Sequence, residues 1–369
     1  MGERTETEIG EIGVVIVTWN GKKHLERMLP SIFAQKLHAP MTVVIIDNGS
    51  RDGTVAWLSS SYPMVHAVAL TENRGFAGPN NIGFSYLLKN PDIKYIACIN
   101  NDTVLPEDFF FRLVSFAEKM KKNNNRVGAL QTKIVSFDDP TVVDSVGITI
   151  DPGMSAINEG QGEKDQGQFE AAKEIFGATA SAVIYTREAL DAVFLNHGAY
   201  FDADFFAYQE DVDLAFRLRL LGFSAWYVPG PPVLHVHSAT GRSYSPFKSY
   251  HIHRNTLYMI VKNMPGFLLI TGLASFIAKY GALIGSLRKE RGPSYELSKK
   301  TGIPGMAGIA LKAWAVFLLH LPALLSKRRR IQKLRTCEGH QVKKWFAEFR
   351  ADRSKIIYGA SDRPADKKI

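Results

Sequence analysis

The stretch Val43-Val-Ile-Ile-Asp47-Asn48-Gly49-Ser50-Arg51-Asp52-Gly53-Thr54 joins a short apolar run to a polar turn that opens a helix. An apolar run without polar alternation is typical of a strand that is buried on both faces of a parallel sheet. Asp47 and Asp52 stand where this strand ends, and open α/β sheets bind their ligands outside the carboxyl ends of the strands. The stretch therefore predicts an α/β fold with functional groups at this edge.

The same alternation of strand and helix continues on both sides of this stretch. Strands are predicted at Val14–Thr18, Val43–Asp47, Val65–Leu70, Tyr95–Asn100 and Val127–Gln131. Helices are predicted at Lys22–Gln35, Asp52–Ser60, Gly78–Lys89, Pro106–Lys121 and Glu210–Leu221. This order predicts a mostly parallel sheet that is covered by helices. The polar, Gly-rich segment Asp151–Lys173 predicts an exposed loop or lid.

Composition places the chain among globular proteins, with 369 residues, 46% hydrophobic and 22% charged. The two cysteines, Cys98 and Cys337, are too few for a disulfide framework and favour a reducing compartment. Residues 1–11 are polar, predict a disordered N-terminus and lack the pattern of a signal peptide. We therefore expect the folded part of the chain to lie in the cytoplasm.

The basic excess of the chain lies in its C-terminal part. The net charge is +9, and from Leu321 onward 14 Lys and Arg face 5 Asp and Glu, so this part alone carries 14 − 5 = +9. A nucleic-acid surface would spread its charge over the folded body, whereas a basic tail beside apolar segments favours an anionic membrane face. We expect a membrane surface as partner and no nucleic acid.

Two apolar segments, Gly266–Leu287 and Ile303–Leu325, precede this basic tail. Each reaches the roughly 20 residues that cross a bilayer, but Lys279 and Lys312 lie near their middles, which disfavours spanning. Segments that lie in the membrane interface, a helical pair, a homodimer contact and soluble core helices remain open. The predicted division is residues 12–263 for the α/β domain, 264–326 for the apolar helices and 327–369 for a basic tail, with Lys327-Arg-Arg-Arg330 against lipid headgroups.

Oxygen-bearing side chains follow the strand at Tyr95–Asn100. Asn100, Asn101 and Asp102 cluster where the strand ends, and hard cations such as Mg²⁺ or Mn²⁺ prefer such ligands. A capping turn is an equal alternative for this segment. For Asp47 and Asp52 an Asx-turn and a helix N-cap are the simpler interpretation.

Three acids open the helix predicted at Glu210–Leu221. Glu210, Asp211 and Asp213 follow the aromatic residues Phe205, Phe206 and Tyr208. Like charges at a partly dry site raise one carboxyl pKa, as a general base requires. Ordinary acids of a first helical turn are the alternative.

His235 and His237 alternate on a predicted strand, so only one of them can face a given site. A buried structural histidine is the simpler interpretation, although an imidazole can complete an Mn²⁺ or Mg²⁺ site.

Taken together, these groups resemble the family 2 glycosyltransferases of GT-A fold, closest to the rhamnosyltransferase-like members that build bacterial surface polysaccharides. The resemblance covers Gly13 to Asn263, and its motifs stand in the family's order. They are Val15-Ile-Val-Thr18-Trp19-Asn20-Gly21, Asp47-Asn-Gly-Ser-Arg-Asp52-Gly, Asn73-Arg74-Gly75-Phe76-Ala-Gly78-Pro-Asn-Asn81-Ile-Gly83, Asn100-Asn-Asp102-Thr, Glu210-Asp211-Val-Asp213 and His235-Val-His-Ser-Ala-Thr240.

The resemblance implies a role for each matching position. Contacts to the donor nucleotide or its sugar are implied for Thr18, Asn20, Asp47, Asp52, Arg74, Gly75, Asn100 and Asn101. Asp102 would bind Mg²⁺ or Mn²⁺ together with His235, which fits the family's histidine better than His237 because Thr240 then follows at the family's spacing. Asp211 would be the base, with Glu210 beside it.

The implied reaction is inverting transfer of a single sugar from a dTDP- or UDP-linked donor, with dTDP-rhamnose preferred, to a saccharide or polyprenyl-linked acceptor. The string Gln332-Lys-Leu-Arg335-Thr336 lacks the Trp of the processive Gln-x-x-Arg-Trp motif. The chain departs from the family at Asn100, where an Asp is common, so the metal would rest on one carboxylate. An inactive nucleotide-sugar-binding scaffold is therefore an alternative. A dehydrogenase is disfavoured because no strand is followed by Gly-x-Gly-x-x-Gly.

Overall fold

The strands of the computed structural model, which describes residues 10–37, 39–236 and 245–358, confirm the alternating pattern. In chain order they are β1 (Glu11–Thr18), β2 (Met41–Asp47), β3 (His66–Ala69), β4 (Ile93–Asn100), β5 (Thr103–Val104), β6 (Val127–Gln131), β7 (Ile134–Ser136), β8 (Val143–Ser145), β9 (Ile148–Ile150), β10 (Ala156–Asn158), β11 (Lys173–Ile175), β12 (Ala182–Thr186), β13 (Ser224–Tyr227) and β14 (Val233–His235).

The helices include every helix predicted from the sequence, with ends that differ by up to three residues. They are α1 (Lys22–Phe33), α2 (Thr54–Ser61), α3 (Ala77–Leu87), α4 (Phe109–Lys122), α5 (Arg187–His197), α6 (Glu210–Leu220), α7 (Pro246–Asn263), α8 (Leu268–Arg288), α9 (Pro293–Leu334), α10 (Gly339–Glu348) and α11 (Arg353–Tyr358).

The main sheet has eight strands in the order β11-β13-β6-β12-β4-β1-β2-β3. β1 pairs in parallel with β2 and β4, which explains why Val14, Val15 and Ile16 are fully buried. β12 is inserted between β4 and β6 in the antiparallel direction. The sheet is thus mixed, and its central parallel strands carry their polar residues to one edge.

One apolar cluster covers each face of this sheet. Leu25, Met28 and Leu29 of α1 pack on one face with residues of α4, and Phe84 and Leu87 of α3 pack on the other with residues of α5. Burial on both faces holds the ends of β1, β2 and β4 in fixed positions. These ends can therefore support a site of defined geometry.

A smaller sheet, in the order β5-β14-β7-β8, adjoins the polar edge. β14 pairs antiparallel with β5, so that His235 stands opposite Thr103. This pairing brings the predicted histidine next to the polar segment that follows β4.

The segment Asp151–Lys173 was predicted to be an exposed loop, and its first part differs from that prediction. β10 pairs with β9, and Met154 is fully buried in the third apolar cluster. Asp151 Oδ1 accepts a hydrogen bond from the Ser155 N–H at 2.9 Å. Hydrogen bonds and one buried methionine fix this part, which a composition of Gly and polar residues does not reveal.

The two apolar segments form α8 and α9, and α9 contains a break at Gly302, whose φ is +67°. The predicted boundary between apolar helices and tail, at residue 327, falls inside α9. Lys279 of α8 donates to Ser155 Oγ at 2.5 Å, so this lysine contacts the protein instead of remaining isolated in an apolar segment.

The basic tail was predicted to be a separate unit, and this prediction is wrong for residues 327–358. Lys327 forms salt bridges of 2.7 Å to both Asp202 and Asp204. Arg328 donates to the carbonyls of Val261 and Met264 at the end of α7. Lys327 and Arg328 thus pair with carboxylates and with carbonyls at a helix end. These two cations bind within the protein instead of facing lipid headgroups. Residues 1–9 and 359–369 lie outside the described ranges.

Candidate active site

The ends of β1, β2 and β4 bring Thr18, Asp47 and Asn101 to one edge. Asn101 Nδ2 donates to Thr18 Oγ1 at 2.8 Å. Asp47 is 1% exposed, and its Oδ1 accepts from the Ser50 N–H at 2.9 Å. Its Oδ2 is buried and has no hydrogen-bond partner among the described residues. One oxygen of Asp47 therefore closes an Asx-turn, while the other is available to a ligand N–H.

Asn20 and Asp52 brace the loops around this edge. The Asn20 N–H donates to Ser50 Oγ at 2.8 Å. One oxygen of Asp52 accepts from the Lys22 N–H at 3.1 Å and the other from the Thr54 N–H at 3.2 Å. Because Lys22 and Thr54 are the first residues of α1 and α2, Asp52 links two helix N-termini. These contacts give Asp52 a structural role, and its contact to the donor stays a prediction.

The loop that carries Arg74 and Gly75 is held by Asn48. Asn48 Oδ1 accepts from the Arg74 N–H at 2.8 Å, and its Nδ2 donates to the Gly75 carbonyl at 2.7 Å. Gly75 has a φ of +75°, and a Cβ there would lie 2.2 Å from the carbonyl oxygen of Phe206. That oxygen accepts from the Phe76 N–H at 2.6 Å. The loop thus lies directly against the segment that precedes α6, and only glycine fits at this contact.

A strained turn leads into α6. Phe206, Tyr208 and Gln209 have φ values of 61°, 68° and 72°, in the left-handed region that non-glycine residues rarely adopt. Asn255 of α7 is fully buried and donates to three carbonyls of this segment at 2.7 to 3.0 Å. Strain of about 1–3 kcal/mol for each such residue persists only where the surroundings fix it. The hydrogen bonds from Asn255 hold this turn in its strained conformation.

Glu210 and Asp211 begin α6 and differ in their ease of ionisation. Burial raises the pKa of Glu210 well above its ordinary value, and the charge of Asp211 raises it further. Burial also raises the pKa of Asp211, but the N–H groups of Ala180 and Val212 donate to its carboxylate and lower that pKa in part. Of the two acids, Glu210 is therefore shifted more strongly towards its neutral form. A carboxylate with a raised pKa is suited to act as a general base.

Asp211 lies next to the end of β4. Its Oδ2 accepts from the Ala180 N–H at 3.3 Å, and the carbonyl of the next residue, Ser181, accepts from the Asn100 N–H at 2.9 Å. Burial and the charges of the two α6 acids raise the pKa of Cys98 on β4, which places those acids against the same strand. The structure thus brings the predicted base to the polar segment that holds the predicted metal ligand.

Asp102 and His235 form a pair, with Asp144 behind the histidine. The Nε2 of His235 lies 3.3 Å from Asp102 Oδ1, and its Nδ1 lies 2.8 Å from Asp144 Oδ2. Burial lowers the pKa of His235, but the two carboxylates outweigh it and raise the pKa to about 10. Burial raises the pKa of Asp102, and the hydrogen bond and charge of His235 outweigh it, so that this pKa is lowered.

These residues fit a divalent cation that also has ligands from a substrate. Asp102 offers a carboxylate and His235 a ring nitrogen, while a carboxylate on the second ring nitrogen is the usual support of a metal-bound histidine. Within the described parts of the chain, no group of three or more His, Cys, Asp and Glu side chains is arranged to hold a metal. Mg²⁺ or Mn²⁺ bound by two protein ligands would need phosphate oxygens as well. His237 and Thr240 lie outside the described residues.

Asp213, the third acid of the motif, is separate from the site. It is fully buried, with Oδ2 at 2.8 Å from Arg217 Nε and Oδ1 at 3.1 Å from Lys262 Nζ. Burial raises the pKa of Asp213, but Lys262 and Arg217 outweigh it and lower the pKa. The sequence grouped three acids that the structure divides into two site residues and one structural residue.

Three further residues of the site were not predicted as candidates: Asn48, Asp144 and Asn255. Asn48 directly follows Asp47, so its place at a strand end was the available signal. Asp144 is a lone acid among the valines of residues 142–146. Asn255 lies in α7, and no local pattern connects it with a turn almost 50 residues earlier.

Residues 13–194 match the model of the family described as Glycosyl transferase family 2. An N-acetylglucosaminyl-diphospho-decaprenol L-rhamnosyltransferase from Mycobacterium tuberculosis is 27% identical over 266 residues, which cover 67% of this chain and 83% of the relative.

Two solved structures are similar in fold. S. aureus TarS 1-349 in complex with UDP-GlcNAc is 16% identical with a TM-score of 0.50, covering 88% of this chain and 90% of that one. GalNAc-T7 with UDP, GalNAc and Mn²⁺ is 15% identical with a TM-score of 0.53, covering 70% of this chain and 48% of that one. The fold, the family match and the relative identify the chain as a family 2 glycosyltransferase of GT-A fold, similar to rhamnosyltransferases.

Proposed function

We propose that the chain transfers one sugar, with inversion, from a nucleotide-sugar to a glycan or lipid-linked saccharide during bacterial surface polysaccharide synthesis. The proposed donor is dTDP-L-rhamnose. Support for the sugar and for a polyprenyl-linked acceptor comes from the relative named N-acetylglucosaminyl-diphospho-decaprenol L-rhamnosyltransferase. Support for Mg²⁺ or Mn²⁺ comes from the Asp102–His235 pair and from the structure of GalNAc-T7 with Mn²⁺.

The position of Asp211 carries this proposal. The residue stands at the N-terminus of α6 beside the buried Glu210, and Ala180 and Ser181 join it to the end of β4. The loop of Gly75 reaches the same segment through the carbonyl of Phe206. A base, a donor loop and a pair of potential metal ligands thus surround one edge of the sheet.

In the proposed reaction Asp211 accepts the proton of the acceptor hydroxyl. As this O–H bond breaks, the oxygen attacks the anomeric carbon, and the bond from that carbon to the diphosphate oxygen breaks with its electron pair. A single displacement of this kind inverts the anomeric centre. Burial and the neighbouring charge of Asp211 favour the neutral form of Glu210, and a neutral neighbour favours ionisation of the base. A divalent ion at Asp102 and His235 would neutralise charge on the leaving nucleoside diphosphate.

The free oxygen of Asp47 supports a uracil or thymine nucleotide. Its Oδ2 is buried and unpaired within the described residues, and a buried acceptor without a partner costs about 1–3 kcal/mol. The imide N–H that uracil and thymine share would provide the missing donor. This supports dTDP- or UDP-linked donors, and Thr18 and Asn101 lie beside the same edge.

The surfaces of α8 and α9 support attachment to a membrane. Within the described chain both helices are long and apolar enough to cross a bilayer, and 17% of the most apolar window of each is buried. On one face of α8, Ile270, Ile277 and Ile284 are 72%, 54% and 57% exposed. Apolar surface of this extent marks a membrane or protein contact. We propose that it holds the enzyme on the cytoplasmic face of the membrane, with a homodimer as the alternative.

Donor hydrolysis tests the proposed activity. The full chain is incubated with dTDP-rhamnose, UDP-GlcNAc or GDP-mannose in Mg²⁺, Mn²⁺ or EDTA, and released nucleoside diphosphate and the anomeric form of the sugar are measured. We expect slow hydrolysis of dTDP-rhamnose with inversion, which EDTA abolishes. Donor binding without hydrolysis or transfer would instead support the inactive scaffold that Asn100 makes the second candidate.

Vesicle flotation tests the proposed attachment. Replacing Ile270, Ile277 and Ile284 together with Ser removes the apolar face of α8 without cutting the chain. We expect the variant to stay in solution while the parent chain floats with vesicles. A parent chain that does not float but elutes as a dimer, where the variant elutes as a monomer, would refute membrane attachment and support the homodimer.

A further inference from the structure

A single charged side chain interrupts the apolar surface of α9. Between Gly302 and Ser326, Lys312 is the only Lys, Arg, Asp or Glu in the sequence. It is exposed, and Leu311 and Leu319 of the same helix are 70% and 77% exposed. A cation in such a surface is costly to place against lipid unless an anion accompanies it. The position of Lys312 therefore calls for an anionic partner.

An unbroken series of aromatic rings leads from Lys312 towards the acids of α6. The Lys312 ammonium lies 5.0 Å from the centroid of the Tyr250 ring, and Tyr250 contacts His251 at 5.0 Å between centroids. The series continues with these centroid distances: His251 to Phe206 at 5.6 Å, His251 to Phe247 at 4.4 Å, and Phe247 to Tyr208 at 6.3 Å.

A charged or ionisable group lies near each end of this series of rings, Lys312 beside Tyr250 and Glu210 near Tyr208. Burial raises the pKa of Tyr208, and the charge of Glu210 raises it further, which places Tyr208 close to the catalytic acids. Burial, together with the charges of Arg254 and Lys312, lowers the pKa of His251 to about 4, so its ring is neutral at pH 7. Phe247 is 50% exposed. His251 is 7% exposed, so the middle of the series is an uncharged set of rings in which Phe247 offers the accessible surface.

We propose that Lys312, Tyr250, His251, Phe247, Phe206 and Tyr208 form an acceptor surface that binds a polyprenyl-diphosphate-linked saccharide. Lys312 pairs with the diphosphate, the exposed leucines of α9 contact the polyprenyl chain, and the rings support the saccharide on its way to Asp211. This inference rests on the proposed function, since it assigns residues to the acceptor of that reaction.

Charge complementarity favours this occupant over the other candidates for an apolar helix face. A neutral lipid or a second copy of the chain would be matched by an uninterrupted apolar stripe. A ligand with an apolar part, one anionic group and a saccharide, in that order, matches leucines, one lysine and a row of rings. Aromatic and apolar side chains with a few placed charges are the usual lining of sites for such ligands.

Binding of the full chain to vesicles tests the acceptor surface. Three kinds of phosphatidylcholine vesicle are compared: unmodified, with polyprenyl diphosphate as the probe, and with phosphatidylglycerol at equal charge. The variants are Lys312→Met and, as a matched control, Lys333→Met, which removes an exposed lysine of the same helix outside the surface.

We expect Lys312→Met to weaken binding to the polyprenyl diphosphate vesicles about tenfold, as for the loss of one charge-assisted contact, and to change binding to the other two vesicles far less. Lys333→Met should bind all three as the parent chain does. No loss in Lys312→Met, or an equal loss on phosphatidylglycerol vesicles, would overturn the proposal. Failure of lipid-free donor hydrolysis by the parent chain would instead refute the proposed function, so the two failures are distinguishable.

Discussion

Replacing Lys262 with Met removes the cation that lies between two buried carboxylates, Asp202 and Asp213. Lys262 is 1% exposed and pairs with Asp202 and Asp213, which are 9% and 0% exposed as side chains. Removing one partner of a buried pair costs about 3–5 kcal/mol, because the remaining charge stays buried. Asp213 retains Arg217 and Asp202 retains Lys327. We therefore expect the lower end of that range, about 3 kcal/mol in the free energy of unfolding.

Lys327→Met is the matched comparison. Lys327 is 36% exposed, and Asp202 keeps Lys262 when it is removed, so solvent screening limits the expected loss to about 1 kcal/mol. Urea unfolding of the full chain at pH 7, followed by fluorescence, measures both variants. The order of stability should be parent, Lys327→Met, Lys262→Met. Equal stability of all three would refute the buried network.

The same variants have a predicted pH dependence. Burial raises the pKa of Asp202 and of Asp213, but the neighbouring cations outweigh it and lower both pKa values in the folded chain. A lowered folded pKa contributes stability above the unfolded value, near pH 4, and that contribution is lost as the pH falls further. The stability difference between the parent and Lys262→Met should therefore shrink when unfolding is measured at pH 3.5 instead of pH 7. A difference that is constant across this range would contradict the assignment.

Three further substitutions test the site. Gly75→Ala should lower the transfer rate at least tenfold, because a Cβ would lie 2.2 Å from the Phe206 carbonyl oxygen. The control Gly78→Ala in α3 should be active in the same assay, because a Cβ there would have no atom closer than 3.7 Å. Asn255→Leu should destabilise the chain by about 1–3 kcal/mol and lower kcat more than donor affinity, since three carbonyls of the segment before α6 lose the Asn255 amide, although that of Phe205 keeps Arg254 and the Ala207 N–H as donors; unchanged kcat would argue against its role. Asp47→Asn should weaken dTDP and UDP binding in calorimetry about tenfold and spare stability, and unaltered affinity would exclude Asp47 as the base contact.

The central strands and the helices between them were predictable because each is a local pattern. Val14–Thr18 and Val43–Asp47 are continuous apolar runs, and such runs indicate strands buried on both faces. The antiparallel insertion of β12 was not predictable, since pairing with β4 depends on residues more than 80 positions away. The two- and three-residue strands of the smaller sheet are too short to show any periodicity.

The same distinction between local patterns and long-range contacts applies to the residues of the site. Thr18, Asp47 and Asn101 stand at strand ends that the sequence places at one edge, so their proximity was predictable. Asp144 contacts His235 across 91 positions, and only the pairing of short strands creates that contact. The run 327–330 was assigned to headgroups because a cluster of cations has the same sequence whether it faces lipid or carboxylates. Its partners lie far away in the sequence: Asp202 and Asp204 are more than 100 positions earlier, and Val261 and Met264 are 67 and 64 positions before Arg328.

The rate of sugar transfer by Asp211→Asn, compared with Glu210→Gln, tests the central claim most directly. Gln resembles the protonated Glu210 that burial favours, so that variant should transfer sugar within about tenfold of the parent rate, whereas loss of the base should cost about 10²–10⁴-fold. Calorimetry must show the same donor affinity in both variants. The account predicts that Asp211→Asn loses transfer while it still binds donor. Transfer by Asp211→Asn at the parent rate, across pH 5 to 8, would contradict it.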